Sequence, residues 1–202
     1  KSVKHPIKIA ITGKIGSGKT FVSKFLKELG YKVFESDEEV AKIFGDLKFK
    51  KKIECLFSKK ISKLFMKNGL VNRKALGDYV FSRKIELEKL ENIIYPILKK
   101  KKKEFISLFM EEKILFFDIP LLFQKKLHRE FNYIILLWLE RKLQLKRVLK
   151  RKGMSQEKFD KIFKMQKYDQ DEYEKFISLK INTSKDISFV KKELKNFVDE
   201  IN

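Results

Sequence analysis

Eight consecutive residues, Gly13-Lys14-Ile15-Gly16-Ser17-Gly18-Lys19-Thr20, fit the pattern G-x-x-x-x-G-K-[ST] in full. The chemistry this pattern serves is polyphosphate binding. Glycines let the backbone curl until successive N–H groups point at one phosphate, aided by the N-terminus of the helix that follows. Lys19 supplies a mobile positive charge for the β- and γ-phosphates of a nucleotide such as ATP, and the Thr20 hydroxyl is placed to ligate Mg²⁺. The flanks agree with this reading. Ile7 to Ile11 is a short apolar, β-branched run that reads as a buried strand, and Phe21, Val22, Phe25, Leu26 and Leu29 recur at helical spacing. A dinucleotide fingerprint is excluded, because Phe21 stands where its third glycine belongs.

Three further sets of residues are candidates for chemistry. Asp37 follows the apolar segment Tyr31 to Phe34, so it sits at the carboxyl end of an expected strand, where open α/β sheets bind ligands. A carboxylate there suits a phosphotransferase that must orient an acceptor hydroxyl and take its proton. The plainer role is a helix N-cap before Glu38-Glu39-Val40, and both roles can hold at once. Asp118 closes Ile114-Leu115-Phe116-Phe117 and fits either a metal-side acid on a second strand or a simple strand cap. Arg147 and Arg151 lie four residues apart, with Gln144 one turn earlier. On one helical face they could close over a transferring phosphoryl group; otherwise they are solvated surface cations. The chain contains no N-K-x-D and no L-S-G-G-Q, and no aspartate stands three residues before a glycine. Those absences argue against GTPases and transport ATPases.

The elements that must position these groups form an α/β pattern. Strands are expected at Ile7 to Ile11, Tyr31 to Phe34, Ile114 to Phe117, Tyr133 to Trp138 and Leu179 to Ile181. Between them lie helical stretches, including a segment from Glu38-Glu39 onward interrupted at Asn68-Gly69 and at Pro96. Others span about Glu140 to Lys152 and Ser155 to Gln166, and a final amphipathic helix is built on Ile187, Val190, Leu194, Phe197 and Val198. Strands separated by helices predict right-handed crossovers and a parallel sheet. The 202 residues suit one domain, and no repeat or Pro/Gly/Ser linker divides them.

Composition narrows the partners. Lys plus Arg is 48 against 27 acidic residues, a net charge of +21. Only six of the cations are arginine, the better fork for phosphates and base edges, so the excess reads as lysine-rich drift over a solvated surface. No specific nucleic-acid partner is expected. Nor is a membrane, since no apolar run approaches the ~20 residues a spanning helix needs. Nothing near Lys1 reads as a signal peptide. The single cysteine, Cys55, excludes an intrachain disulfide framework and suits a cytoplasmic protein; beside Ile53, Leu56 and Phe57 it is expected to be buried. His5 and His128 are isolated and read as surface residues. A monomer or weak homo-oligomer is expected.

The sequence resembles the dephospho-CoA kinase family along most of its length. The likeness runs from Ile11-Thr12-Gly13 through the glycine-rich loop to Asp37, then Gly69-Leu70-x-x-Arg73-x-x-Leu76, Val80-Phe81 and Leu90-Glu91-x-Ile93-x-x-Pro96. It continues in the distinctive Asp118-Ile119-Pro120-Leu121-Leu122-Phe123, in Gln144-x-x-Arg147-x-x-x-Arg151 and in Ile181-Asn182. The resemblance implies ATP- and Mg²⁺-dependent phosphorylation of the ribose 3′-hydroxyl of dephospho-CoA. By that likeness Asp37 is the base, Arg147 and Arg151 are lid cations, and Thr20 and Asp118 lie on the metal side. Arg73, Tyr95, Pro120 and Leu121 lie on the acceptor side, and Asn182 with its neighbours lies by the adenine. It implies a P-loop kinase-type three-layer fold with a parallel central sheet. The core would span about 1–45, 112–139 and 177–202, a helical acceptor-binding insertion about 46–111 and a helical lid about 140–168.

Several positions depart from the family pattern. Lys14 replaces a second glycine, so the loop there should do without positive φ. Glu35-Ser36 replaces Asp-Ala, Asn72 an aspartate, Tyr95 a histidine and Gln124 a glutamate. Two other functions share parts of the pattern: a P-loop kinase acting on a nucleoside or nucleotide, and a basic nucleic-acid-binding protein switched by ATP.

Overall fold

The computed structural model describes residues 5–202, so the first four residues of the expected core lie outside the described residues. Five strands form one parallel sheet: β1 (Ile7–Thr12), β2 (Lys32–Glu35), β3 (Ile114–Asp118), β4 (Tyr133–Trp138) and β5 (Leu179–Asn182), in the order β2-β3-β1-β4-β5. β1 is central, with Ile9 facing Phe116 on one side and Tyr133 on the other. β1, β3 and β4 are rich in β-branched or aromatic residues, and consecutive positions in them are buried, as a sheet covered on both faces requires.

The chain divides into two compact units. The first comprises the described residues up to Glu35 together with Leu108–Asn202, and the second Ser36–Ser107. In the first, α1 (Lys19–Glu28) and α9 (Ile187–Ile201) lay Val22, Phe25, Leu26, Val190, Leu194 and Val198 against Ile9, Ile11, Phe116, Ile135 and Leu137. α1 stops as expected at Gly30, whose N–H donates back to Lys27 O at 2.9 Å. Two short helices, α6 (Arg141–Val148) and α7 (Gln156–Met165), form a hairpin, and a single-turn α8 (Gln170–Tyr173) precedes β5.

The second unit is helical: α2 (Ser36–Ile43), α3 (Leu47–Phe57), α4 (Arg73–Phe81) and α5 (Lys84–Leu108). It has its own core, in which Phe49, Ile53, Phe57, Leu76 and Val80 are buried. Asp46 caps α3 through Phe49 N–H and Asn72 caps α4 through Ala75 N–H. Asparagine caps a helix as well as aspartate does, which accounts for the departure at position 72.

The structure corrects four expectations. Pro96 does not interrupt the helix; α5 runs through it for 25 residues. Leu90 and Ile94 anchor the preceding turns in the core, so packing outweighs the one hydrogen bond proline forfeits. The helix expected to reach Lys152 ends at Val148, where i→i−3 bonds from Lys150 and Arg151 N–H tighten it into a turn. Cys55 is exposed, because Ile53 and Phe57 share the inward face of α3 and Cys55 lies opposite them. His128 is buried, enclosed by Phe123, Tyr173 and Phe176. His5 is exposed, as expected.

Candidate active site: the P-loop and its supports

The loop from Gly13 to Gly18 joins β1 to α1, so it lies at the carboxyl end of the central strand, where the strand order reverses. Its shape needs glycine at two positions for different reasons. A Cβ at residue 13 would lie 2.5 Å from Leu137 O, so β4 passes too close for any side chain. Gly16 has φ 76°, and a Cβ there would lie 2.9 Å from Val148 Cγ2. Lys14 is not among the residues of positive φ, so the loop accommodates it without strain, as expected.

Lys19 Nζ donates to Gly13 O at 2.9 Å and so lies folded across the mouth of the loop. Thr20 is exposed in the first turn of α1. Asp118 ends β3 in register with Ile11, and Ile119 N–H donates to Ile11 O at 3.0 Å. Thr12 Oγ1 in turn donates to Ile119 O at 2.9 Å, tying the start of the loop to the turn after β3. Among the described residues no cluster of three His, Cys, Asp or Glu forms a closed cage. A hydroxyl and one carboxylate near a polyphosphate loop suit Mg²⁺, which keeps its waters and takes phosphate oxygens rather than a full set of protein ligands.

Arg147 is not a free surface cation. Its guanidinium donates to Thr183 O, Thr183 Oγ1 and Gly16 O at 2.5, 3.2 and 3.4 Å. Thr183 Oγ1 donates onward to Ser17 O at 2.7 Å, and Thr183 N–H to Trp138 O. Thr183 therefore ties β4, the P-loop and α6 together, a role the sequence reading did not assign to it by number. The signal was its place directly after Asn182. Asn182 itself shapes the turn, accepting from Ser184 N–H at 2.9 Å. Arg151 lies beyond the end of α6, so it does not share a helical face with Arg147.

Gln166, just past the end of α7, also reaches the loop. Ile15 N–H donates to Gln166 Oε1 at 2.6 Å, and Gln124 Nε2 donates to Gln166 O at 2.5 Å. The second bond uses a donor that glutamate lacks, which gives the departure at 124 a physical purpose. Lys14 Nζ sits 4.4 Å from the centre of the Phe163 ring, and burial first, then the charge of Lys167, pulls its pKa below the usual lysine value.

In the turn after β3, Pro120 and Leu121 are half-buried while Leu122 and Phe123 are buried. Phe123 stacks near Tyr168 and Tyr173, at 4.8 and 4.9 Å. In the helical unit, Asp37 is exposed in the first turn of α2, two residues past the end of β2. Arg73, also exposed, begins α4 with its guanidinium 4.9 Å from the Phe44 ring centre, and Tyr95 lies on α5.

The comparisons with known proteins agree with this loop. The family profile for dephospho-CoA kinase matches residues 7–185. A dephospho-CoA kinase from Fusobacterium nucleatum is 33% identical over 194 residues, which is 96% of this chain and 97% of that protein. A crystal structure from Thermus thermophilus aligns with TM-score 0.82 at 28% identity, over 98% of this chain and all of that one. A dephospho-CoA kinase from Campylobacter jejuni aligns with TM-score 0.66 at 25% identity, over 96% and 97% of the two chains. With a complete phosphate-binding loop inside a match that spans nearly the whole sequence, the chain belongs to the dephospho-CoA kinase family.

Proposed function

We propose that this chain transfers the terminal phosphoryl group of ATP to the ribose 3′-hydroxyl of dephospho-CoA, giving coenzyme A and ADP. The observation that carries the reading is the P-loop, complete in sequence and seated at the carboxyl end of the central strand, in a chain of this family. The N–H groups of the loop from Gly16 onward and of the start of α1 bind the triphosphate, and Lys19 swings from Gly13 O to the β- and γ-phosphates. Thr20 and Asp118 are the residues that would hold Mg²⁺. When bound, that ion neutralises phosphate charge.

Asp37 orients the acceptor hydroxyl and receives its proton as the oxygen attacks phosphorus. Arg147 and Arg151 stabilise charge developing on the transferred group, Arg147 from its seat against Gly16 O. The α6–α7 hairpin acts as the lid, and Asn182 and its turn border the adenine. Arg73, Tyr95, Pro120 and Leu121 hold the acceptor. The setting is the cytoplasm, and an exposed lone Cys55 suits its reducing conditions.

A coupled assay for ADP, with the product weighed by mass spectrometry, tests the reading. ADP released in step with a phosphorylated product is expected with dephospho-CoA. Folded protein that releases none, or that prefers a nucleoside or nucleotide as acceptor, overturns it.

A further inference from the structure

We infer that Gln166 is a positioning residue for ATP: it grips the crown of the P-loop through the Ile15 amide and so ties the loop's phosphate-binding shape to α7. The inference rests on the proposed function of that loop and deepens it.

Five contacts carry it. Ile15 N–H donates to Gln166 Oε1, and both residues are buried, at 8% and 9% exposure. The acceptor is held from behind, because Gln166 O accepts from Gln124 Nε2 and Gln166 N–H donates to Ile162 O at the end of α7. The Ile15 side chain shares a small apolar cluster with Val148 and Phe159 of the hairpin. Next to it, the Lys14 ammonium lies over Phe163. Two successive loop residues thus dock on one helix by a hydrogen bond, an apolar contact and a cation–π contact.

The consequence for binding is geometric. An amide already committed to Gln166 does not turn toward the phosphates, so the curl beyond it, from Gly16 to Thr20, is set before the nucleotide arrives. Without the acceptor, a buried N–H must be left unpaired or the crown must rotate to satisfy it. An amide oxygen suits the task because it accepts the bond without placing a negative charge beside a triphosphate.

The test uses the full chain, steady-state kinetics and amide hydrogen exchange by NMR. Gln166→Met keeps the length of the side chain and removes the acceptor. It should raise KM for ATP about tenfold, as loss of one buried hydrogen bond implies. KM for dephospho-CoA should change less than about twofold, and Ile15 N–H should exchange at least ~10 times faster. Gln166→Glu, which still accepts from Ile15, should restore slow exchange. If Gln166→Met does not fold, Gln124→Met loosens the backbone that carries the same side chain, by removing the bond to Gln166 O. It should speed Ile15 exchange while the amides of α9 keep their rates. Unchanged Ile15 exchange in either variant, or an unchanged KM for ATP in Gln166→Met, overturns the inference. A wild-type protein that releases no ADP with dephospho-CoA overturns the functional reading instead, and the exchange data distinguish the two failures.

Discussion

Asp37, Thr183 and His128 illustrate three ways a single side chain governs this protein. Asp37→Asn keeps shape and removes the proposed base. In steady-state assays it should lower kcat by about 10²–10⁴-fold with little change in KM for ATP, since general-base catalysis contributes on that scale. Thr183 serves Ser17 O, Arg147 and Trp138 O at once. Thr183→Val removes the hydroxyl from that junction and should cost about 1–3 kcal/mol in urea unfolding, the usual result of stranding buried polar partners. His128 titrates in the folded state below its ordinary 6.5, chiefly because burial disfavours the charged ring, with Arg129 adding to the effect and Glu172 opposing it. The unfolded chain therefore binds the proton more readily. Stability from this residue is complete above about pH 6.5 and declines as pH falls below it. Between about pH 7 and pH 5, thermal unfolding should fall more steeply for the wild type than for His128→Gln.

At the scale of elements, the helical unit has a core of its own, and Phe57 lies wholly inside it. Phe57→Ala should destabilise by about 3–5 kcal/mol in denaturant titration, through lost burial and the cavity left behind. The elements most legible in the sequence were those with strong period and clear punctuation. The glycine-rich loop announced both β1 and α1, and apolar runs marked β3 and β4 to the residue or nearly so. Errors arose where tertiary contacts overrode local rules. Pro96 reads as a break, yet Leu90 and Ile94 hold its helix in the core. The supports of the loop were the least legible. Gln166 and Thr183 are common residue types on ordinary elements, and each bonds to a loop more than a hundred positions earlier in the chain. No window of local sequence contains both partners of such a bond. Gln124 shows the same effect, since its replacement of an acid acquires meaning only beside Gln166 O.

Over the whole molecule, the net charge of +21 faces two polyanionic substrates. Lysines dispersed across the surface attract both at long range, and salt screens that attraction over about 8–10 Å at physiological strength. kcat/KM for ATP should therefore fall as ionic strength rises from about 0.02 to 0.5 M while kcat holds nearly constant, measured with an uncharged osmolyte as control. The order of strands has a different consequence, in time rather than in space. β1 emerges from the ribosome well before its partners β3 and β4, with Ile7 beside Ile114 and Ile9 beside Tyr133. At about 5–20 residues per second, the nascent strand waits several seconds for either neighbour. In that interval its apolar face and open backbone are free to join a stranger, so this strand is where a nascent-chain chaperone has most to protect.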